Sequence, residues 1–280
     1  MTFEQYWKTV ENILFAILIT DDCNLKCNNC NFGCDQINIC WYININEYKK
    51  ILNIIKILYT HPLQNKTFEI SILGGEVTQH PKLQELLEIT VSELQNYSNY
   101  KLLITNGIDI LNQNFQTINL YSNFCVDITK YPIKIDYSKI INFFKNTHIH
   151  TNVTNKVDND TNVLQNIDDE DFTTRFYCRN LREKCDNSIS KCNYGNRTKC
   201  LMFYKHKLFL CPNAVGFYQN EKLKEANKEN NFKGDFIDID SITCFDDILL
   251  YLKNNTICQY CHDDGYKIWS SKLFKNVRVN

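Results

Sequence analysis

The 280-residue chain carries 31 basic and 32 acidic side chains, which give it a formal net charge of −1. This balance argues against a strongly basic surface of the kind that binds a nucleic-acid backbone. No apolar run approaches the roughly 20 residues of a membrane-spanning helix, and the polar N-terminus lacks the features of a secretory signal. We therefore expect a cytoplasmic protein with neither a nucleic acid nor a membrane as its partner.

Short apolar runs alternate with longer amphipathic runs in the first half of the chain, the pattern of repeated βα units. The predicted strands are Ile13–Thr20, Thr67–Leu73, Lys101–Thr105, Phe124–Thr129 and His148–Val153. The predicted helices are Ile45–Tyr59, Pro81–Tyr97, Ile108–Leu120 and Tyr137–Lys145. Such an alternation favours an α/β protein with a parallel sheet, in which functional residues follow the strand ends.

The chain has fourteen cysteines, too many to explain as disulfides in a compartment that keeps thiols reduced. Metal binding or redox chemistry is the better expectation. Beyond residue 154 the sequence becomes polar. From Cys178 onward it consists of short segments rich in cysteine and aromatic residues.

The first predicted strand leads into the run DDCNLKCNNC, in which Cys23, Cys27 and Cys30 are spaced C-x3-C-x2-C. Three thiolates can hold three corners of a [4Fe–4S] cluster and leave the fourth iron open for another ligand. A zinc site completed by a distant fourth residue is the alternative, since zinc also binds thiolates. We interpret the nearby Cys34 as a small buried side chain.

The second predicted strand ends at Gly74, Gly75 and Glu76. Two glycines let a backbone approach a ligand closely, and Glu76 can accept a hydrogen bond from an ammonium group. The patches LLITNG and VDITKYP follow at the third and fourth strands. The Asn-Gly pair that ends LLITNG is first of all a turn signal.

Together these runs resemble the radical SAM enzymes, whose cluster loop, glycine-rich segment and later strands carry motifs of this kind. The resemblance implies a partial (β/α)6 barrel over residues 1–170. In it, Cys23, Cys27 and Cys30 would bind a [4Fe–4S] cluster whose open iron chelates S-adenosylmethionine (SAM). It also implies contacts to the cofactor from the following residues: Gly74, Gly75, Glu76, Thr105, Asn106 and Asp127. Asn29 stands where the family often has an aromatic residue, and Val77 stands where it usually has a proline.

The C-terminal part, residues 171–280, resembles the twitch version of the SPASM domain, a small cysteine-rich accessory module. Cys200 and Cys211 flank a predicted hairpin, and the run CQYC adds Cys258 and Cys261. Four such thiolates would bind an auxiliary [4Fe–4S] cluster, with Cys192 as an alternative to Cys200. A structural zinc site is the other interpretation, because C-x2-C pairs are common in such sites.

The resemblance implies an enzyme that cleaves SAM reductively and uses the 5′-deoxyadenosyl radical to abstract hydrogen from a substrate. A flavodoxin or ferredoxin would supply the electron. The substrate would be a small-molecule or sugar-derived compound or a peptide. The auxiliary cluster would oxidise it, anchor it or only brace the fold, and the resemblance leaves these three roles open. In a redox-neutral reaction, Cys40 or Cys125 would serve as hydrogen donor. The competing hypotheses are a non-catalytic zinc-binding interaction protein and a thiol–disulfide oxidoreductase, which leaves most of the cysteines unexplained.

Overall fold

An eight-stranded mixed sheet organises the protein, which we describe from a computed structural model. Its strands are β1 (Asn12–Leu18), β2 (Thr67–Leu73), β3 (Lys101–Thr105), β4 (Phe124–Lys130), β5 (His150–Asn155), β7 (Thr198–Tyr204), β8 (Lys207–Phe209) and β9 (Phe236–Asp238). The strands β6 (Arg175–Leu181) and β10 (Cys261–Ile268) form a separate antiparallel pair. The α-helices are α1 (Ile45–Tyr59), α2 (Leu83–Leu94), α3 (Tyr137–Phe144), α4 (Pro212–Gln219) and α5 (Phe245–Lys253).

The structure describes residues 8, 10–27, 30, 32, 34, 37–59, 67–95, 97, 101–115, 118, 124–131, 133, 135–145, 147–155, 175–181, 198–219, 236–255 and 261–268. In the pair β6 and β10 it describes the backbone alone. No helix within these ranges is both long and apolar enough to cross a membrane.

The strand order is β5-β4-β3-β2-β1-β7-β8-β9. Strands β1 to β5 are parallel, β7 joins the other side of β1 in the same direction, and β8 and β9 continue as an antiparallel meander. The expected α/β class with a parallel sheet is thereby confirmed. The sheet also crosses the predicted boundary at residue 170, because β7 pairs with β1 over six residues from Asn12 to Ile17.

The predicted helix over residues 108–120 differs from the structure. The described part of this segment contains no α-helix; Ile110–Asn112 form a short 3-10 helix, which ends where Gln113 takes an extended conformation. Asp109 contributes its carboxylate to contacts with other loops. Polar side chains bonded in this way compete with regular helical structure.

Apolar side chains of β1 and β2 form the centre of the core. Phe15 is fully buried and stacks on Phe68 of β2, with ring centroids 5.5 Å apart, while the Phe203 ring of β7 lies 6.1 Å away on the other side. The central strand β1 is therefore packed against both of its neighbouring strands. Outside the sheet, helices α1 and α2 are joined by a buried hydrogen bond of 2.5 Å between Tyr48 Oη and Thr90 Oγ1.

The carboxyl edge of the parallel strands collects the segments that the sequence singles out. Parallel strands end at the same edge, where the following loops meet. The cysteine loop follows β1, the run Gly74–Glu76 follows β2, Asn106 follows β3 and Tyr131 follows β4. The turn between β7 and β8 lies at this edge too, since β7 is parallel to β1.

Phe15→Ala is expected to lower the free energy of unfolding by about 3–5 kcal/mol, because it empties a fully buried site between three strands. Phe143→Ala is the matched control. The Phe143 side chain is 41% exposed, so the same truncation should cost about 1 kcal/mol or less. Urea unfolding followed by circular dichroism measures both values, and equal losses would contradict the packing described here.

Candidate functional site

The thiols of the cysteine loop share one apolar patch. Cys23 is 8% exposed and packs with the buried Leu25, and the partly buried Cys27 and Cys30 contact the same patch. Tyr131, which follows β4, packs against the patch as well. Burial, with the thiols of Cys27 and Cys30 nearby, raises the pKa of Tyr131. The three predicted ligands therefore gather in one patch at the carboxyl edge, where Cys23 is buried and Cys27 and Cys30 are partly buried.

The backbone of the loop turns back on the first thiol. Cys23 Sγ accepts hydrogen bonds from the backbone N–H of Leu25, at 3.5 Å, and of Lys26. Lys26 has a positive φ of 46°, which the tight turn requires. Burial outweighs these hydrogen bonds and raises the pKa of Cys23 to about 12. A metal ligated here would reverse that preference, because a coordinating thiol is deprotonated.

Cys34 lies beside the loop. It is 1% exposed and packs with Cys23 and Leu25, so the prediction of a buried side chain is confirmed. A hydrogen bond with Cys30, together with burial, raises the pKa of Cys34. A fourth thiol thus stands next to the three predicted ligands, in contact with one of them.

The chemistry of the three thiols fits a [4Fe–4S] cluster. Three thiolates bind three irons of such a cluster and leave the fourth iron open for another ligand. Zinc also binds thiolates, and a zinc site would need a fourth ligand besides these three. Iron and zinc content of the purified protein therefore distinguishes the two metals.

Gly74 and Gly75 press directly against the backbone that leads into the cysteine loop. Gly75 N donates to Thr20 O at 2.8 Å, and Glu76 N donates to Asp22 O at 2.6 Å. A Cβ added at Gly74 would lie 2.4 Å from Thr20 O, and one at Gly75 would lie 2.1 Å from Asp22 O. The glycines are thus required for contact between two loops of the chain, whatever they also offer to a ligand.

The carboxylate of Glu76 joins the ends of β2 and β3. Glu76 is 1% exposed. Its Oε1 accepts from Thr78 N at 3.1 Å, Thr78 Oγ1 at 2.8 Å and Thr105 Oγ1 at 2.6 Å, while Oε2 accepts from Asn106 N at 2.7 Å. Burial raises the pKa of Glu76, and these four donors oppose that rise. Thr105 and Asn106, predicted as cofactor contacts, are therefore also structural partners of Glu76.

A second polar network, which sequence reasoning missed, crosses the same edge. Asp109 Oδ2 accepts from Asn24 Nδ2 at 3.0 Å and from Gln79 Nε2 at 2.9 Å. Asn106 Nδ2 donates to Asn24 Oδ1 at 2.7 Å. These bonds link the loops after β1, β2 and β3. Their short polar side chains resemble ordinary loop composition, so the sequence gives no separate signal for them.

His80 was also missed, although it supports the loop after β2. Its Nδ1 accepts from Lys82 N at 3.0 Å, which leaves the proton on Nε2, and Nε2 then donates to Ile43 O at 3.2 Å. Burial lowers the pKa of His80. The neutral ring thus fixes the Glu76 segment to Ile43, whose N–H donates to Ile19 O at 2.8 Å.

The structure separates the two predicted hydrogen donors. Cys40 lies beside the cysteine loop, and burial with a hydrogen bond to the Asp22 carboxylate raises the pKa of its thiol. Cys125 is fully buried near the amino end of β4, where Asn152 Nδ2 approaches its sulfur at 3.5 Å. Lys130, which ends β4 at its carboxyl edge, is five residues further along the strand, at a distance of about 16 Å from Cys125. Asp127 lies between them on β4, partly buried.

The C-terminal cysteines are described in part. Cys200 lies in β7, whose hairpin with β8 pairs Met202 with Phe209, and Cys211 follows the end of β8 by two residues. The predicted hairpin is therefore present. Cys261 begins β10, where the structure describes the backbone alone, while Cys192 and Cys258 lie outside the described residues.

Comparisons with known proteins give matches among solved structures. No family model matches the chain, and no curated protein matches it. The structure of BtrN in complex with AdoMet and 2-DOIA matches with a TM-score of 0.50 and 12% identity, over 90% of this chain and 93% of BtrN.

Two further matches are shorter. The structure of anSMEcpe with bound AdoMet and Kp18Cys peptide matches with a TM-score of 0.35 and 20% identity, over 51% of this chain and 42% of that one. SuiB of Streptococcus suis, bound to precursor peptide SuiA, matches with a TM-score of 0.32 and 18% identity, over 45% and 26%. BtrN is a radical SAM enzyme, and its likeness over most of both chains shows that this chain has the radical SAM fold.

Gly75→Ala is expected to reduce iron incorporation strongly, because its Cβ would meet the backbone of Asp22, next to Cys23. Ser71→Ala, on the strand β2 that precedes this run, is the matched control. Ser71 is fully buried, and its Oγ has no hydrogen-bond partner within the described structure. Iron per chain after anaerobic reconstitution should fall in Gly75→Ala and stay at the wild-type level in Ser71→Ala. Equal iron in the two variants would show that the Gly75 contact does not shape the loop.

Proposed function

We propose that the protein is a radical SAM enzyme, with Cys23, Cys27 and Cys30 as the ligands of its SAM-binding [4Fe–4S] cluster. One observation carries this proposal. The three cysteines, spaced C-x3-C-x2-C, lie in an apolar patch at the carboxyl edge of a sheet with the radical SAM fold. Once bound, such a cluster supplies reductive cleavage of SAM and thereby hydrogen abstraction from a substrate.

The residues around the cluster loop position it and limit the access of water. The buried Leu25 and Ile133 pack with Cys23 in the cysteine patch, and Tyr131 packs against it. Hydrogen bonds from the backbone of Leu25 and Lys26 orient the sulfur of Cys23. A reactive intermediate requires such shielding, because a site open to water allows side reactions.

The segment Gly74–Glu76 is the proposed contact for the amino group of SAM. A carboxylate has about four lone-pair positions on its two oxygens. Glu76 Oε2 accepts one hydrogen bond, from Asn106, so it retains the capacity for a further donor such as an ammonium group. Thr105, Asn106 and Asp127 are proposed as further contacts to SAM. The network that fixes Asn106 would hold its side chain in place for this role.

Cys200, Cys211, Cys258 and Cys261 are the proposed ligands of an auxiliary [4Fe–4S] cluster, in a C-terminal unit of residues 171–280 that resembles the twitch form of SPASM. The hairpin of β7 and β8 supports this assignment, because Cys200 lies in its first strand and Cys211 follows its second strand by two residues. Cys192 remains the alternative ligand. These residues would hold a cluster that supplies an acceptor for the electron left on the substrate radical after hydrogen abstraction; loss of that electron and of a proton would give an oxidised product.

The proposed substrate is a small molecule or a sugar-derived compound, with a peptide as the second possibility. BtrN, whose fold is similar over most of both chains, carries 2-DOIA beside AdoMet, which supports the first. Cys40 is the better placed hydrogen donor for a redox-neutral outcome, since it lies beside the cysteine loop. The proposed compartment is the cytoplasm, with a flavodoxin or ferredoxin as reductant.

The proposal is tested by measuring 5′-deoxyadenosine formed from SAM under reducing, oxygen-free conditions, together with iron and zinc per chain. Wild type should form the product, and the variant Cys23→Ala/Cys27→Ala/Cys30→Ala should form none. Cys244→Ala is the matched control. Its thiol lies at the start of α5 and contacts Asp247, so product formation should continue.

The iron count separates the two proposed clusters. About four irons should remain in the triple variant if the auxiliary cluster forms. A wild type that binds zinc, retains no iron and forms no 5′-deoxyadenosine would overturn the enzyme proposal and favour a zinc-binding interaction protein.

A further inference from the structure

A second buried carboxylate, besides Glu76, adjoins the start of the cysteine loop. The Asp21 side chain is fully buried, two residues before Cys23. Its Oδ1 accepts from Trp41 N at 2.6 Å, and its Oδ2 contacts both Tyr204 Oη, at 2.7 Å, and Lys205 Nζ, at 2.9 Å. A charge this deeply buried requires a partner, and Lys205 supplies one.

We propose that the Asp21–Lys205 ion pair positions the cluster loop and sets the reduction potential of its cluster. This inference rests on the proposed function, because it requires a cluster at Cys23, Cys27 and Cys30. It assigns a role to residues that lie outside the predicted ligand set. The pair joins the loop after β1 to the turn after β7, 184 positions further along the sequence.

The turn that carries Lys205 has an unfavourable backbone. Lys205 and His206 connect β7 to β8 with φ values of 47° and 62°. Two-residue hairpin turns with two positive φ values favour Asn and Gly strongly. Neither residue is present here, so the side chains must offset the strain through their contacts. Lys205 does so at Asp21, and its Nζ also lies 4.9 Å from the centre of the Tyr204 ring.

His206 fixes the other half of the turn. Its backbone N–H donates to Glu47 Oε1 of α1 at 2.7 Å, and its Nε2 lies 3.0 Å from Asp240 Oδ2. The turn is therefore attached to both α1 and the segment after β9. A turn held at these points presents Lys205 to Asp21 in a defined position.

The segment around Trp41 completes the enclosure of Asp21. Asp21 N donates to Trp41 O at 3.2 Å, and Thr20 Oγ1 donates to the same oxygen at 2.8 Å. Tyr204 Oη also accepts from Gln219 Nε2 at 2.7 Å, which orients its own proton towards Asp21. Both charges of the pair are thus held close to the loop, with limited freedom to move away from it.

The sign of each charge predicts the effect of removing it. The potential of an iron–sulfur cluster depends on the net charge around it and on its solvent exposure. Reduction adds a negative charge to the cluster. An uncompensated Lys205 would stabilise the reduced form and raise the potential, while an uncompensated Asp21 would lower it. If the ion pair only held the loop in place, removing either charge would not shift the reduction potential in opposite directions.

The experiment measures the potential of the cluster in full-length, reconstituted protein by electron paramagnetic resonance at a series of poised potentials. The SAM-binding cluster is identified by the change of its signal when SAM is added. Asp21→Asn should raise its potential, Lys205→Met should lower it, and the double variant should return towards wild type. Lys205→Arg, which retains the charge, should remain close to wild type.

Lys56→Met is the control for a change in net charge. Lys56 pairs with Glu93 between α1 and α2, near the end of α1 distant from the cysteine loop, so its loss should leave the potential unchanged. If Asp21→Asn fails to hold a cluster, the comparison of Lys205→Met with Lys205→Arg still decides the question. The inference would be overturned if Asp21→Asn and Lys205→Met shifted the potential in the same direction, or if neither variant shifted it. The proposed function would still stand in that case, provided that the wild type formed 5′-deoxyadenosine. A wild type without iron would overturn both.

Discussion

The close contact between two loop backbones is the constraint on which the candidate site depends. Gly74 and Gly75 lie so near Thr20 and Asp22 that a single added carbon would overlap a carbonyl oxygen. The hydrogen bonds Gly75 N to Thr20 O and Glu76 N to Asp22 O continue the pairing of β1 and β2 beyond the ends of the strands. The cysteine loop therefore starts from a backbone that the sheet itself holds in place.

Two buried carboxylates extend this support to neighbouring segments of the chain. Glu76 accepts four hydrogen bonds and connects the loops after β2 and β3. Asp21 accepts from Trp41, Tyr204 and Lys205, and so connects the loop after β1 to the hairpin that carries Cys200. Leaving a buried hydrogen-bond acceptor without its donor lowers the stability of the folded protein. The two networks therefore give the loop a defined position before any cofactor is bound.

The sequence predicted the parts of the fold that depend on periodicity. Strands β1 to β5 occur close to their predicted positions, and the helix Ile45–Tyr59 has the predicted bounds. The spacing of Cys23, Cys27 and Cys30 predicted a metal site, which stays a prediction, and the comparison with BtrN confirmed the fold that this motif implied.

Long-range contacts could not be predicted in the same way. The pairing of β7 with β1 joins segments some 186 residues apart, and no local pattern records it. The contacts of Asp21 with Tyr204 and Lys205 depend on that pairing. Asp21 looked like an ordinary loop residue in DDCNLKCNNC, although its side chain is fully buried. Asp109 was missed for the same reason, since its partners Asn24 and Gln79 come from two other loops.

The central claim is that an iron of a cluster at Cys23, Cys27 and Cys30 remains open for SAM. The most direct test is electron–nuclear double resonance on the reduced, reconstituted protein, with SAM labelled with 15N at its amino group. The account predicts a 15N coupling that is absent from Cys23→Ala/Cys27→Ala/Cys30→Ala. A wild-type protein that holds its irons but shows no such coupling would contradict it.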